Sequence, residues 1–279
     1  MRTVFLLLSM ALALNSFSQK NNAPVVLTKG QKFTVHTTST QEADMGIGMD
    51  MKNNTSSQNN FYVIDISDKN YTVSSTLTGL KVSMDFMGQQ STYDSDLKED
   101  SASEIGKSIK NLNIPDTVIV NKYTASVSAD KKESIVSKDD SANPLETLFE
   151  SMGDNSTDVA ITDAFFIIPA GKKVGDSWTD SSSTKSQKTV RTCTITSVEK
   201  NIATINVVGK VESNIQTEVQ SLQVNIVMTT KTNSEIILDT RTSLVSKRST
   251  KAAITGNLDL MGQSAPITGK AATVSIYEY

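Results

Sequence analysis

Apolar and polar positions alternate with a period of two along most of this chain, the signature of half-buried β-strands. Phe33 and Val35 alternate with Thr34, His36 and Thr38, which predicts a strand whose wet face carries His36. Met45, Ile47, Met49 and Met51 alternate with Gly46, Gly48 and Asp50, and Asn53-Asn54 then predicts a turn. Phe61–Ile66 is a strand with Tyr62, Ile64 and Ile66 on one face. Tyr71–Thr76 starts another, and Leu80, Val82, Met84 and Phe86 continue an inward face up to the break at Gly88–Ser91. Further on, Thr189–Val198 and Ile202–Val211 form a hairpin through Glu199-Lys200-Asn201. Leu222 to Met228, Ile236 with Leu238, Ala252 to Leu260, and Ala272, Val274 and Ile276 give the remaining strands.

Helical spacing is confined to two short stretches. Ile105, Ile109 and Leu112 predict a helix over Ser101–Asn111, and Leu145, Leu148 and Phe149 predict one over Pro144–Met152. The expected class is therefore mainly β (α+β): long antiparallel meanders forming a curved sheet or half-barrel, with one or two short helices. Three short patterns recur. Gly30-Gln31-Lys32-Phe33 answers Gly175-Asp176-Ser177-Trp178, Asp68-Lys69-Asn70 answers Glu199-Lys200-Asn201, and Met84–Gln89 answers Leu258–Gln263. They predict one β-rich domain over residues 19–279 made of two pseudo-repeated halves, about 25–163 and 164–279.

The halves meet at Ala164–Asp180. Phe165–Ile168 is an apolar run closed by Pro169, Gly171 and Gly175 permit a turn, and Trp178 is the only Trp. Pro169, Gly171, Gly175 and Trp178 are thus expected to form a structural joint anchored by the indole. Gly175–Asp180 also resembles the nucleophile block of the GDSL lipases and esterases, with Ser177 as the nucleophile. That chemistry needs a histidine base, and the one histidine, His36, precedes Ser177. No catalytic residue is assigned, and no enzyme is expected.

Residues 1–18 have the layout of a secretory signal peptide: Arg2, the apolar run Val4–Leu14, and Ser16-Phe17-Ser18 before a cleavage point at Gln19. No cysteine stands there to carry a lipid anchor, so the expected location is secreted or periplasmic. The formal net charge is −3, which argues against nucleic acid as a partner. No later stretch is apolar enough for a transmembrane helix. Cys193 is the only cysteine and shares parity with Ile195, so a buried thiol is expected rather than a disulfide. Asp154, Ser156 and Asp158 open like a calcium loop but lack its glycine and closing glutamate, so no metal and no cofactor are expected.

The secretory signal, the β-rich first half, the joint Pro169-x-Gly171-Lys172-x-Val174-Gly175-Asp176-Ser177-Trp178, and the strand end Ile236-x-Leu238-Asp239-x-x-Thr242 resemble an uncharacterised family of secreted proteins of Bacteroidetes-type bacteria. The resemblance implies an exported β protein and brings no site residue with it. The layout is more loosely similar to periplasmic lipoprotein carriers. Asp-Ser/Thr-small patterns at Ser101, Thr117 and Ser141 resemble the O-glycosylation sites of that bacterial group.

Methionine supplies the functional clue. Met45, Met49, Met51, Met84, Phe86, Met87 and Met261 fall on apolar parity or beside it, and thioethers suit adaptable apolar sites. They are the candidate lining of a site for an apolar ligand or lipid. The expected function is a non-catalytic envelope binding protein. A structural or interaction protein without a small ligand is the alternative, and a hydrolase ranks third.

Overall fold

The structure is a computed structural model that describes residues 24–44, 46, 50–103, 106, 112–129, 160–183, 186–219, 222–260 and 263–279. The described strands are β1 (Lys32–Asp44), β2 (Asp50–Ile66), β3 (Asn70–Phe86), β4 (Gln89–Asp94), β5 (Asp116–Asn121), β6 (Val127–Ala129), β7 (Ser177–Ser183), β8 (Gln187–Glu199), β9 (Ile202–Val219), β10 (Leu222–Asp239), β11 (Leu244–Leu260) and β12 (Gln263–Glu278). They form one open, 12-stranded antiparallel sheet in the order 6-5-3-2-1-12-11-10-9-8-7, with β4 also pairing β3. The mainly β class and the long antiparallel strands are as the period-two pattern predicts.

The two halves meet where β1 pairs β12, with Thr34 opposite Glu278. Trp178 lies on β7, at an edge of the sheet, so the indole is not the hinge between the halves. Its half-buried ring packs against the main core, 6.2 Å from Phe166. The stretch before it is a crossover that docks on the sheet. Phe165 bridges Leu244, the Phe166 amide donates to Ser243 O, and the Val245 amide donates to Ala164 O. Gly171 and Gly175 take positive φ in the turns that lead into β7.

Local chemistry accounts for several differences from the sequence reading. Asn53-Asn54 lies inside β2; β1 ends at Asp44, β2 begins at Asp50, and Gly46 has φ +68°. A register shift at Gln58/Asn59 makes β3 one strand whose inward parity changes from Tyr71, Val73, Ser75 and Leu77 to Leu80, Val82 and Met84. Tyr62 and Ile64 lie on the outer face, because Phe61 and Val63 are the buried pair, and a register shift between Val63 and Asp65 parts them from Ile66, which packs against the main core. In β12 the buried parity is Ala265, Ile267, Ser275 and Tyr277, which leaves Ile276 outside. Of the helix expected over 101–111, the described residues show a 3-10 turn at Asp100–Ala102 and a helical Gly106, while most of the remainder lies outside them. The signal peptide, Ser141 and the expected helix at 144–152 also lie outside them.

The main core fills one end of the inner face. Phe33, Phe61, Val73, Val118, Ile195, Ile205, Ile236, Leu238 and Val245 from the strands enclose Val25, Leu27, Ile161, Ala164 and Phe165 from two non-strand segments. Residues 24–28 are pinned by Tyr71, whose hydroxyl donates to Val25 O and accepts from the Leu27 amide. The 160–168 segment is pinned by the contacts of its backbone above and by the Tyr279 hydroxyl, which donates to Ala164 O. Together these segments plug this end of the sheet.

Candidate functional site

From the plugged end toward the β1–β2 and β3–β4 turns, the inner face changes chemistry twice. After the main core come polar side chains on adjacent strands: Asn53, Ser57 and Asn59 of β2, Thr230, Thr232 and Ser234 of β10, Arg248 and Thr250 of β11, and Ser275 of β12, all buried. Thr37 and Ser39 of β1 bond across the seam to Ser275 and Thr273 at 3.0 and 3.1 Å, and Ser234 bonds Thr250 at 2.8 Å. Beyond this belt lies a second apolar cluster of Ala43, Met51, Ile226, Met228, Ile254, Leu258 and Ile267, with Phe86 packed against it. Among the described residues this distal cluster is built from strand residues alone.

Register places one transverse row through the belt. Asn53 stands opposite Gln41, Gln41 opposite Ala271, Ala271 opposite Ala252, Ala252 opposite Thr232, Thr232 opposite Gly209, and Gly209 opposite Arg191. The middle of the row is a low floor of two alanines. On either side of it, Gln41 Nε2 and Thr232 Oγ1 are buried with no protein partner. A buried polar atom without a partner costs about 1–3 kcal/mol, so a built protein rarely keeps several on one face.

Charge gathers at the boundary between belt and core. Arg191 donates through Nε and Nη2 to Asp180 Oδ2, at 3.2 and 3.1 Å. Arg248 Nη1 lies 2.9 Å from Asp163 Oδ1 of the crossover. The four side chains are only 10–15% exposed. Burial raises the Asp163 carboxyl above the ordinary aspartate range, outweighing the opposite pull of Arg248 and Arg191. Cys193, fully buried beside this group, has its thiol pushed up to about 11, chiefly by burial. Tyr277 is raised as well, by burial first and by Asp163 second. Arg248 Nε is buried and has no acceptor.

Of the methionine-based lining, Met51 joins the distal cluster, Met84 is buried on β3, and Phe86 stands directly opposite Met51. Met87 is 55% exposed in the β3–β4 turn, so it does not line the inner face. Met45, Met49 and Met261 lie outside the described residues. Sequence reasoning put Met228 on one apolar parity with Ile226 but left it out of the lining, and it passed over the two arginines. Their signal was a charge on an apolar parity: Arg191 with Cys193 and Ile195, Arg248 with Ala252 and Ile254.

The Ser177 hydroxyl bonds the Thr194 hydroxyl at 2.7 Å, and Asp176 accepts from the Lys173 amide to close the turn. Among the described residues no group of three or more His, Cys, Asp or Glu side chains could hold a metal ion, and no helix is long and apolar enough to cross a membrane.

Residues 117–245 match the profile of a family of unknown function, DUF6263. The matched segment runs from β5 into β11 and includes the crossover. No curated protein matches the chain. Among solved structures, lipovitellin, described for its lipid–protein interactions, is similar over 91% of this chain and 26% of its own, at 8% identity and a TM-score of 0.47. The chain thus spans about a quarter of the lipovitellin chain. OccK7 (OpdD) of Pseudomonas aeruginosa is similar at 6% identity over 90% of this chain and 99% of its own, with a TM-score of 0.25. Likeness at this level carries no functional argument.

Proposed function

We propose that this is an exported, non-catalytic binding protein of the cell envelope that holds an amphipathic ligand of the lipid class against the inner face of its sheet. One observation carries the reading: a second apolar cluster, with Met51 and Met228 among its members and Phe86 packed against it, is cut off from the main core by a belt of buried hydroxyl and amide groups. A scaffold gains nothing from that division, since each buried polar group must be satisfied at a cost an apolar core avoids. A molecule with a polar and an apolar part matches both zones at once.

The distal residues are closed on one another in this form, so an entering chain must displace the thioethers of Met51 and Met228. Unbranched methionine does this at small cost. About ten methylenes buried at about 0.8 kcal/mol each give about 8 kcal/mol gross. That is enough to offset a modest cost of association. The test is titration with the neutral apolar dye Nile red, alongside native mass spectrometry of protein purified from its own host. Saturable dye binding that Met228→Lys abolishes, in a variant with an unchanged circular dichroism spectrum, is the expected result. No dye site in the folded protein and no co-purified lipid would overturn the reading and leave an interaction protein without a small ligand.

A further inference from the structure

Resting on that reading, we propose that the polar end of the ligand is an anion, a carboxylate or a phosphate ester, received at the boundary between belt and core by Arg248 and Arg191. Two guanidinium groups about nine-tenths buried are unusual on the inner face of a β-sheet, because each must keep its charge solvated or paired. The aspartates only partly meet that need. Arg191 commits two of its donors to a single oxygen of Asp180. Arg248 commits Nη1 to Asp163 and leaves Nε–H buried without an acceptor. A guanidinium has five N–H donors, so donors remain for an incoming oxyanion.

A neighbouring hydroxyl asks for the same partner. Thr232 sits in the same transverse row as Arg191, with only Gly209 between them, and its buried hydroxyl has no protein partner. An acceptor-only group beside the two guanidiniums would answer their free donors, Arg248 Nε–H among them. A neutral hydroxyl head would offer fewer acceptor sites. The distal apolar cluster starts on the far side of the belt, where the tail of such a molecule would lie.

The experiment is competition of dodecanoate, dodecyl phosphate and 1-dodecanol against Nile red on the full protein, with acetate and inorganic phosphate as headgroup-only controls. The expected result is at least tenfold tighter binding of both anions than of the alcohol, and no displacement by the controls. Arg248→Met should raise the dodecanoate Kd to that of the alcohol, its fold checked by circular dichroism. The wild-type comparison decides the matter even where that variant does not fold. Equal affinity for dodecanoate and dodecanol, or displacement by the alcohol alone, would overturn the anion assignment while leaving the apolar site standing. Displacement by acetate or phosphate alone would also overturn it, since the site would then be a small-anion site. Failure of Nile red itself to bind would remove the underlying reading instead.

Discussion

Asp163 Oδ1 and Arg248 Nη1, 2.9 Å apart, tie the crossover between the halves to the inner face of β11. The pair is nearly buried, so removing one partner strands a charge. Arg248→Met should destabilise the fold by about 3 kcal/mol or more at pH 7. The stranded carboxyl then takes up a proton more readily, so the loss should shrink as pH falls toward 4. Urea unfolding from pH 4 to pH 8 measures this. In the wild type the sign is fixed by the raised Asp163 carboxyl. A raised folded-state pKa gives a contribution that is complete below the unfolded value of about 3.9 and is lost as pH rises through the folded value. The stability of Asp163→Asn relative to wild type should therefore increase as pH rises across that window.

Cys193 should be silent to thiol reagents in the native state. Its sulfur is buried, and with the thiol pushed up to about 11 only about one molecule in a thousand carries thiolate at pH 8. Labelling by a chromogenic disulfide should be slow in buffer and complete within mixing time in guanidinium chloride. Prompt native labelling would contradict this packing.

A Cβ at Gly209 would lie 2.4 Å from Thr232 Oγ1, so the belt depends on a residue without a side chain there. Gly209→Ala should cost about 1–3 kcal/mol. Thr232→Ala removes the atom in the way, and the double variant should be more stable than the sum of the single losses predicts. A double-mutant cycle in urea reads the coupling directly.

The β3–β4 hairpin turns at Met87-Gly88, both with positive φ, between the paired Phe86 and Gln89. Two such residues make a turn of the mirror-image type that matches strand twist. Methionine is poorly suited to the first position. Met87→Asn should raise the unfolding midpoint by a degree or more, and Gly88→Ala should lower stability by about 1–2 kcal/mol. Thermal melts of the two variants test both signs.

The strands were readable from the sequence because alternation is a local property. Phe33 with Val35 and Cys193 with Ile195 needed no partner to reveal their parity. Long-range placement was less readable. Nothing local says that β1 pairs with β12, so Trp178, on an edge strand, was mistaken for the hinge. Asn53-Asn54 has turn composition, yet its strand register overrides it. The belt was hidden because inward Ser and Thr look the same as outward ones when each strand is read alone. Only the register that sets Thr37 beside Ser275 and Ser234 beside Thr250 makes them a band. The two arginines were passed over because charge is ordinarily an outward signal.

Because Thr34 faces Glu278, the seam of the sheet joins the earliest described strand to the last. Hairpins on either side can form from neighbouring residues alone, but this junction waits until β12 is available. Until then β1 has an unsatisfied edge, a template on which another chain could settle. A holdase that keeps the polypeptide extended until β12 is available would protect it from that fate.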